Sequence, residues 1–392
     1  MAQFAATKAV LVYVAVFFLT SIALRGGKLL VALGALHLGA NAFLVGILAA
    51  GFAVMPLILS VPAGRVADRI GPQRPILFGS CAMALALVLP VLYYHLAVLF
   101  LCAVLLGLGQ IAIQISVHIA VGLISTAEQR SGNYATLTLG VSVAAFVGPL
   151  IVGATSDHFG LQPAFAVSAA MAVLIALPAL RFSRSIALPP AKARDRKGEH
   201  LLDLVKGRAL RQVIVMSAVA MTGVELFAFY IPVYGTSIGL SGTTIGMVLA
   251  AYAAAAVFVR LGARYLLKGR DEALVLCFAM LVSAGAFALL PVFPNVHALL
   301  SLSFLLGLAL GLASPLTLSL SYSRAPEGRS GEALGLRITV NKITQIAVPL
   351  TFGALGVAFG VATVFWGNAV ILLLGGLISA AGLRPRPGGS AE

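Results

Sequence analysis

Apolar residues run along this chain in long unbroken stretches, separated by short turns that carry Gly, Pro or charge. A helix that crosses ~30 Å of hydrocarbon needs ~20 mostly apolar residues. Twelve stretches reach that length: 9–36, 42–63, 75–93, 96–122, 133–155, 161–181, 212–236, 243–267, 273–291, 296–322, 332–357 and 362–383. They are continuous and do not alternate with period two, so barrel strands are excluded. The first stretch lacks a small-residue cleavage site and eleven more follow it, which makes it a span and not a signal peptide.

The pattern repeats at an offset of 200 residues. Leu105-Leu106-Gly107-Leu108 matches Leu305-Leu306-Gly307-Leu308, and Pro149 and Gly153 match Pro349 and Gly353. Phe159-Gly160 with Phe165 matches Phe359-Gly360 with Phe365, Gly39 matches Gly239, and Gly46 matches Gly246. Two parallel six-helix units are a known transporter plan, with solute bound near mid-membrane between them. The expected division is residues 1–182 for the first bundle, 183–211 for a linker and 212–392 for the second.

Composition agrees and narrows the picture. Of 392 residues, 60% are hydrophobic and only 10% charged, against ~25% charged in soluble domains. A soluble enzyme and a disordered chain are both excluded. A formal charge of +14 raises nucleic acid as a partner until the bases are located. They lie in alternate loops: Arg65, Arg69 and Arg74; Arg130; a run from Arg181 to Arg211 around Pro189-Pro190; Arg260 to Arg270; Arg324 and Arg329; Arg384 and Arg386. The opposite loops, near His37, His95, Asp157, Gly239, Asn295 and Gly360, contain no Lys or Arg. This bias sets both termini in the cytoplasm, where the bases can also touch anionic lipid, and it removes the case for nucleic acid. The three cysteines, Cys81, Cys102 and Cys277, lie singly in apolar runs and read as small packing residues.

Between spans two and three stands Gly64-Arg65-Val66-Ala67-Asp68-Arg69-Ile70-Gly71, with Arg74 following. Gly64 suits close helix packing and Gly71 a tight reversal. Asp68 is an acid among bases, able to pair with them or to cap a helix N-terminus. Such contacts latch one conformation and break in another. Span five carries Gly148-Pro149 and Gly153, small residues around a helix-bending proline. The loop resembles the signature of the major facilitator superfamily, and span five resembles that superfamily's antiporter motif, with Val152 where one glycine is expected. The second-half loop departs from the signature, with Gly262 but Leu266 in place of the acid, and Ala103 stands near where many proton-coupled relatives carry arginine. The resemblance implies an all-α membrane fold, twelve helices in two pseudo-symmetric six-helix bundles, working by alternating access. It further implies that spans one and seven line the central cavity and face each other.

Charges inside spans are expensive and mark functional suspects. Arg25 and Lys28 flank Gly26-Gly27 in span one, and Glu225 is the carboxylate in the middle of span seven. Arg25 and Glu225 are 200 residues apart, so the repeat puts them at equivalent positions, and they are expected to pair across the cavity. Breaking that pair could load or release a proton; a purely structural salt bridge is the other reading. Gln110 and Gln114 in span four, and Asn341 and Gln345 in span eleven, share helical stripes and are expected to face the cavity. His118 continues the first stripe as a helix-end residue. Lys342 and Arg337 lie nearer the cytoplasmic end, and Arg337 either faces inward or snorkels to the interface. Tyr230 is a further candidate for the pocket wall.

Three bases against one carboxylate favour an anionic or carboxylate-bearing organic solute, moved with protons. A proton-coupled efflux pump for hydrophobic drugs is the alternative. The spans offer no nucleophile, metal cluster or paired acids, and the chain has no phosphate-binding GxxxxGK[ST] loop. Neither enzyme chemistry, nor a metal, nor a cofactor is expected, and the chain is expected to act as a monomer in the inner membrane.

Overall fold

A helix satisfies its backbone groups within one segment and without water, and these apolar stretches form little else. The computed structural model describes residues 2–125, 127–182, 207–266, 270–326 and 330–383. Most of the expected linker, 183–206, lies outside them, as does the side chain of Asp68. The first half contains α1 (Ala2–His37), α2 (Ala42–Ile70), α3 (Gln73–Leu92), α4 (Leu96–Ile124), α5 (Ala127–Phe159) and α6 (Leu161–Phe182). The second contains α7 (Arg208–Ser237), α8 (Gly242–Leu261), the single turn α9 (Ala263–Leu266), α10 (Glu272–Leu289), α11 (Val296–Gly311), α12 (Ala313–Ser323), α13 (Ser330–Phe359) and α14 (Ala362–Leu383). Ten apolar runs are long enough to span a bilayer, with α11 and α12 together making one of them. The described parts of α6 and α14 add two shorter ones.

The tenth span is broken where the sequence suggests one helix. Pro315 has no N–H for the carbonyl four residues back, that of Gly311, and the chain kinks at Leu312. The fourth span, its counterpart in the first half, runs unbroken from Leu96 to Ile124.

Elsewhere the 200-residue repeat is visible in the backbone. Positive φ occurs at Gly39 and Gly239 (81° and 78°) and at Gly160 and Gly360 (89° each), where side chains with a Cβ are strained. Asn41 and Ser241 cap the next helices through Leu44 N and Thr244 N. A methyl on Gly107 would lie 2.5 Å from the Phe52 carbonyl oxygen, and Gly307 crowds the Tyr252 carbonyl in the same way. These contacts let α4 reach α2, and α11 reach α8, at backbone distance. The close packing expected at Gly64 is absent: a Cβ there would first meet Ile115, at 4.0 Å. By that point α2 has passed Pro56 and Pro62, and its tight approach to α4 has already been made near Phe52. Gly71 does close α2, with φ of 81°.

The two halves meet backbone to backbone near the Lys- and Arg-free loops, here called the neutral end. Gly46 crowds the Pro349 carbonyl, and a Cβ on Gly246 would lie 2.6 Å from that of Pro149. Gly153 abuts Gly242, and Gly353 abuts Ala42 and Phe43. These four contacts form two pairs related by the repeat. Two asymmetric hydrogen-bond sets reinforce them. Tyr230 Oη, fully buried on α7, donates to the Pro349 carbonyl at 2.8 Å and lies 3.4 Å from that of Ala42. Asp157 on α5 accepts from Gly242 N at 2.8 Å and Thr243 N at 2.6 Å, so a carboxylate of one half caps a helix of the other. Asp157→Ala is expected to cost the closed neutral end about 1 kcal/mol. Spin labels at His158 and Ser237 should then report a larger long-distance population, whereas an unchanged distribution would mean that glycine packing alone holds the end.

Candidate functional site

Below the closed end, a cavity of about 270 Å³ lies between the halves. Its walls come from α1 and α5 on one side and α7, α8, α11, α12 and α13 on the other. Most of the lining is apolar or aromatic, including Met221, Phe227 and Tyr252. Into this wall project Arg25, Lys28, Arg260 and Arg337.

Arg25 can occupy its place because α5 comes close. Gly148 abuts the backbone of α1, with a hypothetical Cβ 2.9 Å from Ile22 O and 3.3 Å from Arg25 Cβ. Gly26 packs in return on Val152, the residue that replaces a motif glycine. Pro149 lines the cavity itself. No carboxylate pairs with Arg25 among the described residues.

Glu225 pairs with Lys28, not with Arg25 as the repeat suggests. Lys28 Nζ lies 3.7 Å from Glu225 Oε2, with the two side chains 18% and 7% exposed. The ammonium also sits 4.9 Å from the Phe229 ring centroid and 5.6 Å from that of Phe52. Helical side chains lean toward their N-terminus. A lysine planted about one turn beyond Arg25 therefore returns to the depth of Glu225, while the arginine, starting level with it, leans past. The aromatic faces add cation–π attraction that desolvation strengthens. This is the one ion pair among the described residues.

Arg337 does not snorkel. It is 7% exposed, and its Nη1 donates to Thr317 Oγ1 at 3.0 Å, with Ser217 Oγ at 3.5 Å. Its Nε is buried with no partner. Ser217 donates in turn to Asn341 Oδ1 at 3.0 Å, so Asn341 reaches the cavity as its stripe suggests. Arg260 Nε donates to the Gly311 carbonyl at 2.9 Å, the acceptor that Pro315 leaves free, and Nη1 donates to Ser142 Oγ of the other half at 2.8 Å.

The remaining candidates lie outside the cavity lining itself. Gln110 and Gln114 are partly buried on α4, away from the cavity lining. Lys342 Nζ donates to Gln345 Oε1 at 3.0 Å; neither residue lines the cavity itself, but Lys342 lies within electrostatic reach of Glu225, Lys28 and Arg25. Tyr230 belongs to the neutral-end contacts and not to the pocket wall. The ring of His118 lies against Gln114 O at 2.6 Å and stacks on Tyr134, outside the cavity. Arg69 and Arg74 are exposed at the arginine-rich end. Sequence reasoning missed Arg260 by counting it with the loop bases, although it falls inside the span expected at 243–267. The aromatic partners of Lys28 carried no signal in sequence, since Phe52 and Phe229 look like ordinary packing.

A family model described as Major Facilitator Superfamily matches residues 9–349. The multidrug resistance protein MdtG of Salmonella choleraesuis (strain SC-B67) is 24% identical over 332 residues, covering 82% of this chain and 81% of that protein. Among solved structures, a POT family transporter in complex with 5-aminolevulinic acid superposes with a TM-score of 0.79 at 14% identity, covering 95% of this chain and 96% of that one. The nucleoside transporter NupG gives 0.81 at 11% identity, covering 95% and 99%. Long apolar helices, an internal repeat and a central cavity between the halves thus accompany a match over nearly the whole chain. The chain belongs to the Major Facilitator Superfamily and is a multi-pass membrane protein, a secondary transporter of small molecules.

Proposed function

We propose that this protein carries a small organic anion across the inner membrane by alternating access, with protons as the coupling ion. The observation that carries this reading is charge: four cationic side chains line the cavity, and Glu225, outside the lining, is the one carboxylate that pairs with any of them among the described residues. A lipophilic cation entering such a site would meet like charge on several sides, while an anion can pair directly with Arg25 and Lys28. An anion drawing Lys28 toward itself would release Glu225 to take a proton, which links substrate binding to proton uptake. The loop bases support a cytoplasmic location for both termini and contact with anionic lipid. The neutral end, closed here, then faces outward. The chain is proposed to work as a monomer, with bundles at 1–182 and 212–392 joined by the 183–211 linker and no covalent chemistry of its own.

The cavity volume bears on the competing reading of multidrug efflux, which the name of the MdtG relative and the apolar lining favour. Drug-sized ligands occupy pockets of ~300–1,000 Å³, so about 270 Å³ suits a smaller solute in this conformation. Flux into proteoliposomes decides between them, using a panel of labelled organic anions and lipophilic cations with and without a pH gradient. Anion transport lost in Arg25→Ala is expected. Cation transport that survives Arg25→Ala would replace this proposal with drug efflux.

A further inference from the structure

The two cavity arginines of the second half, the part-buried Arg260 and the buried Arg337, lie outside the Lys28–Glu225 pair and have a different setting from Arg25. Both are anchored on the broken tenth span, on either side of Ser314, which also lines the cavity. Arg260 is held by the Gly311 carbonyl and Arg337 by the Thr317 hydroxyl. Every hydrogen-bond partner named for either side chain is neutral, a carbonyl or a hydroxyl, and no carboxylate pairs with either among the described residues. Neutral partners fix the position of a guanidinium without cancelling its charge. Burying a charge in that state is costly unless something else compensates it. Arg337 Nε, buried and without a partner, is a donor that the fold leaves unused.

The kink makes this arrangement possible. Pro315 frees the Gly311 carbonyl, and that carbonyl takes Arg260 Nε, one edge of the guanidinium fork. The unbroken fourth span offers no such acceptor at the related place in the first half. Besides Arg25 and Lys28 on α1, the cavity therefore carries Arg260 at the end of α11 and Arg337 against α12, anchored six residues apart on the tenth span. A single monoanion at α1 would leave the second pair uncompensated.

We propose that Arg260 and Arg337 form a second anion subsite, and that the transported solute is a small organic dianion with its two anionic groups at separate ends. One group sits at Arg25 and Lys28, the other at Arg260 and Arg337, with the connecting carbons against Met221, Phe227 and Tyr252. Guanidinium forks match the paired oxygens of a carboxylate. The inference rests on the anionic reading of the cavity and adds the number and spacing of the charges.

Matched pairs of probes test it: succinate against butyrate, glutarate against valerate, and adipate against caproate, with glycerol phosphate as a dianion whose charges share one group. Binding is measured on the purified full-length protein in detergent by titration calorimetry. Wild type is expected to bind its best dicarboxylate about tenfold tighter than the matched monocarboxylate, or more. Arg337→Gln and, separately, Arg260→Gln should reduce that preference to within about twofold, with the larger loss falling on the dicarboxylates. An unchanged thermal-unfolding midpoint in detergent shows that each variant is folded, and Pro315→Ala, which returns an N–H to the Gly311 carbonyl, should lower the preference by displacing Arg260. Monocarboxylates that bind wild type as well as dicarboxylates do would overturn the second subsite and leave the anionic reading standing. A variant that weakens both classes equally, or glycerol phosphate binding above every dicarboxylate, would also overturn it. Binding of no anion of either class would remove the anionic reading and this inference with it.

Discussion

Glu225→Gln is expected to abolish proton-driven transport while leaving solute exchange in place. The side chain keeps its shape and can still accept a hydrogen bond from Lys28, but it no longer carries a proton that can be gained and lost. In proteoliposomes, uptake under a pH gradient should fall to the level seen without one, a loss of about tenfold or more when the gradient supplies ~1.4 kcal/mol or more of drive. Exchange of internal for external solute at equal pH should continue at a similar rate, because it needs only the cations of the cavity. The two assays separate coupling from binding. Gradient-driven uptake that persists in Glu225→Gln would leave the pair with a structural role and move the coupling site elsewhere.

Lys28→Met should produce the largest loss of stability among cavity substitutions. It leaves the 7%-exposed Glu225 side chain without its contacting cation, and removing one member of a buried pair typically costs about 3–5 kcal/mol. Loss of the contacts with Phe52 and Phe229 adds about 0.5–2 kcal/mol. Thermal unfolding in detergent should show a clear fall in midpoint. The double variant Lys28→Met/Glu225→Gln should regain most of it, since no uncompensated carboxylate then remains in the protein interior. A single variant that melts with the wild type would mean that the pair contributes little to the closed conformation. A double variant no better than the single would assign the loss to the aromatic contacts.

Much of the architecture is legible in the sequence, because it depends on local composition. The twelve apolar stretches match the helices within a few residues at most ends, since a bilayer demands length and apolarity from each segment on its own. The 200-residue repeat was readable for a similar reason. Gly46, Gly246, Pro149 and Pro349 recur because each half uses the same backbone contacts, and at those contacts a Cβ does not fit. The exceptions were small. Pro315 splits the tenth span, and Gly64, part of a recognisable loop, packs against nothing closely in this conformation.

The site was legible only in outline. Sequence alone placed Arg25, Lys28 and Glu225 on the facing helices and found Asn341 on the inward stripe of α13. It paired Glu225 with the wrong base, because equivalence in a repeat sets depth along the axis and not where a long side chain ends. It spread polar residues over stripes that the structure divides: Asn341 reaches the cavity, while Gln345 bonds Lys342 and Gln110 and Gln114 lie outside the lining.

By itself, then, the sequence determined a twelve-span membrane protein with an internal repeat and a buried Glu225 among bases, since hydrophobicity and spacing are written locally. Which cations share one cavity was decided by tertiary structure alone. Arg260 and Arg337 become cavity residues through a carbonyl at Gly311 and hydroxyls at Ser142, Ser217 and Thr317, on helices far away in sequence. Burial of a charge is settled by what surrounds it in space, and no local pattern records that.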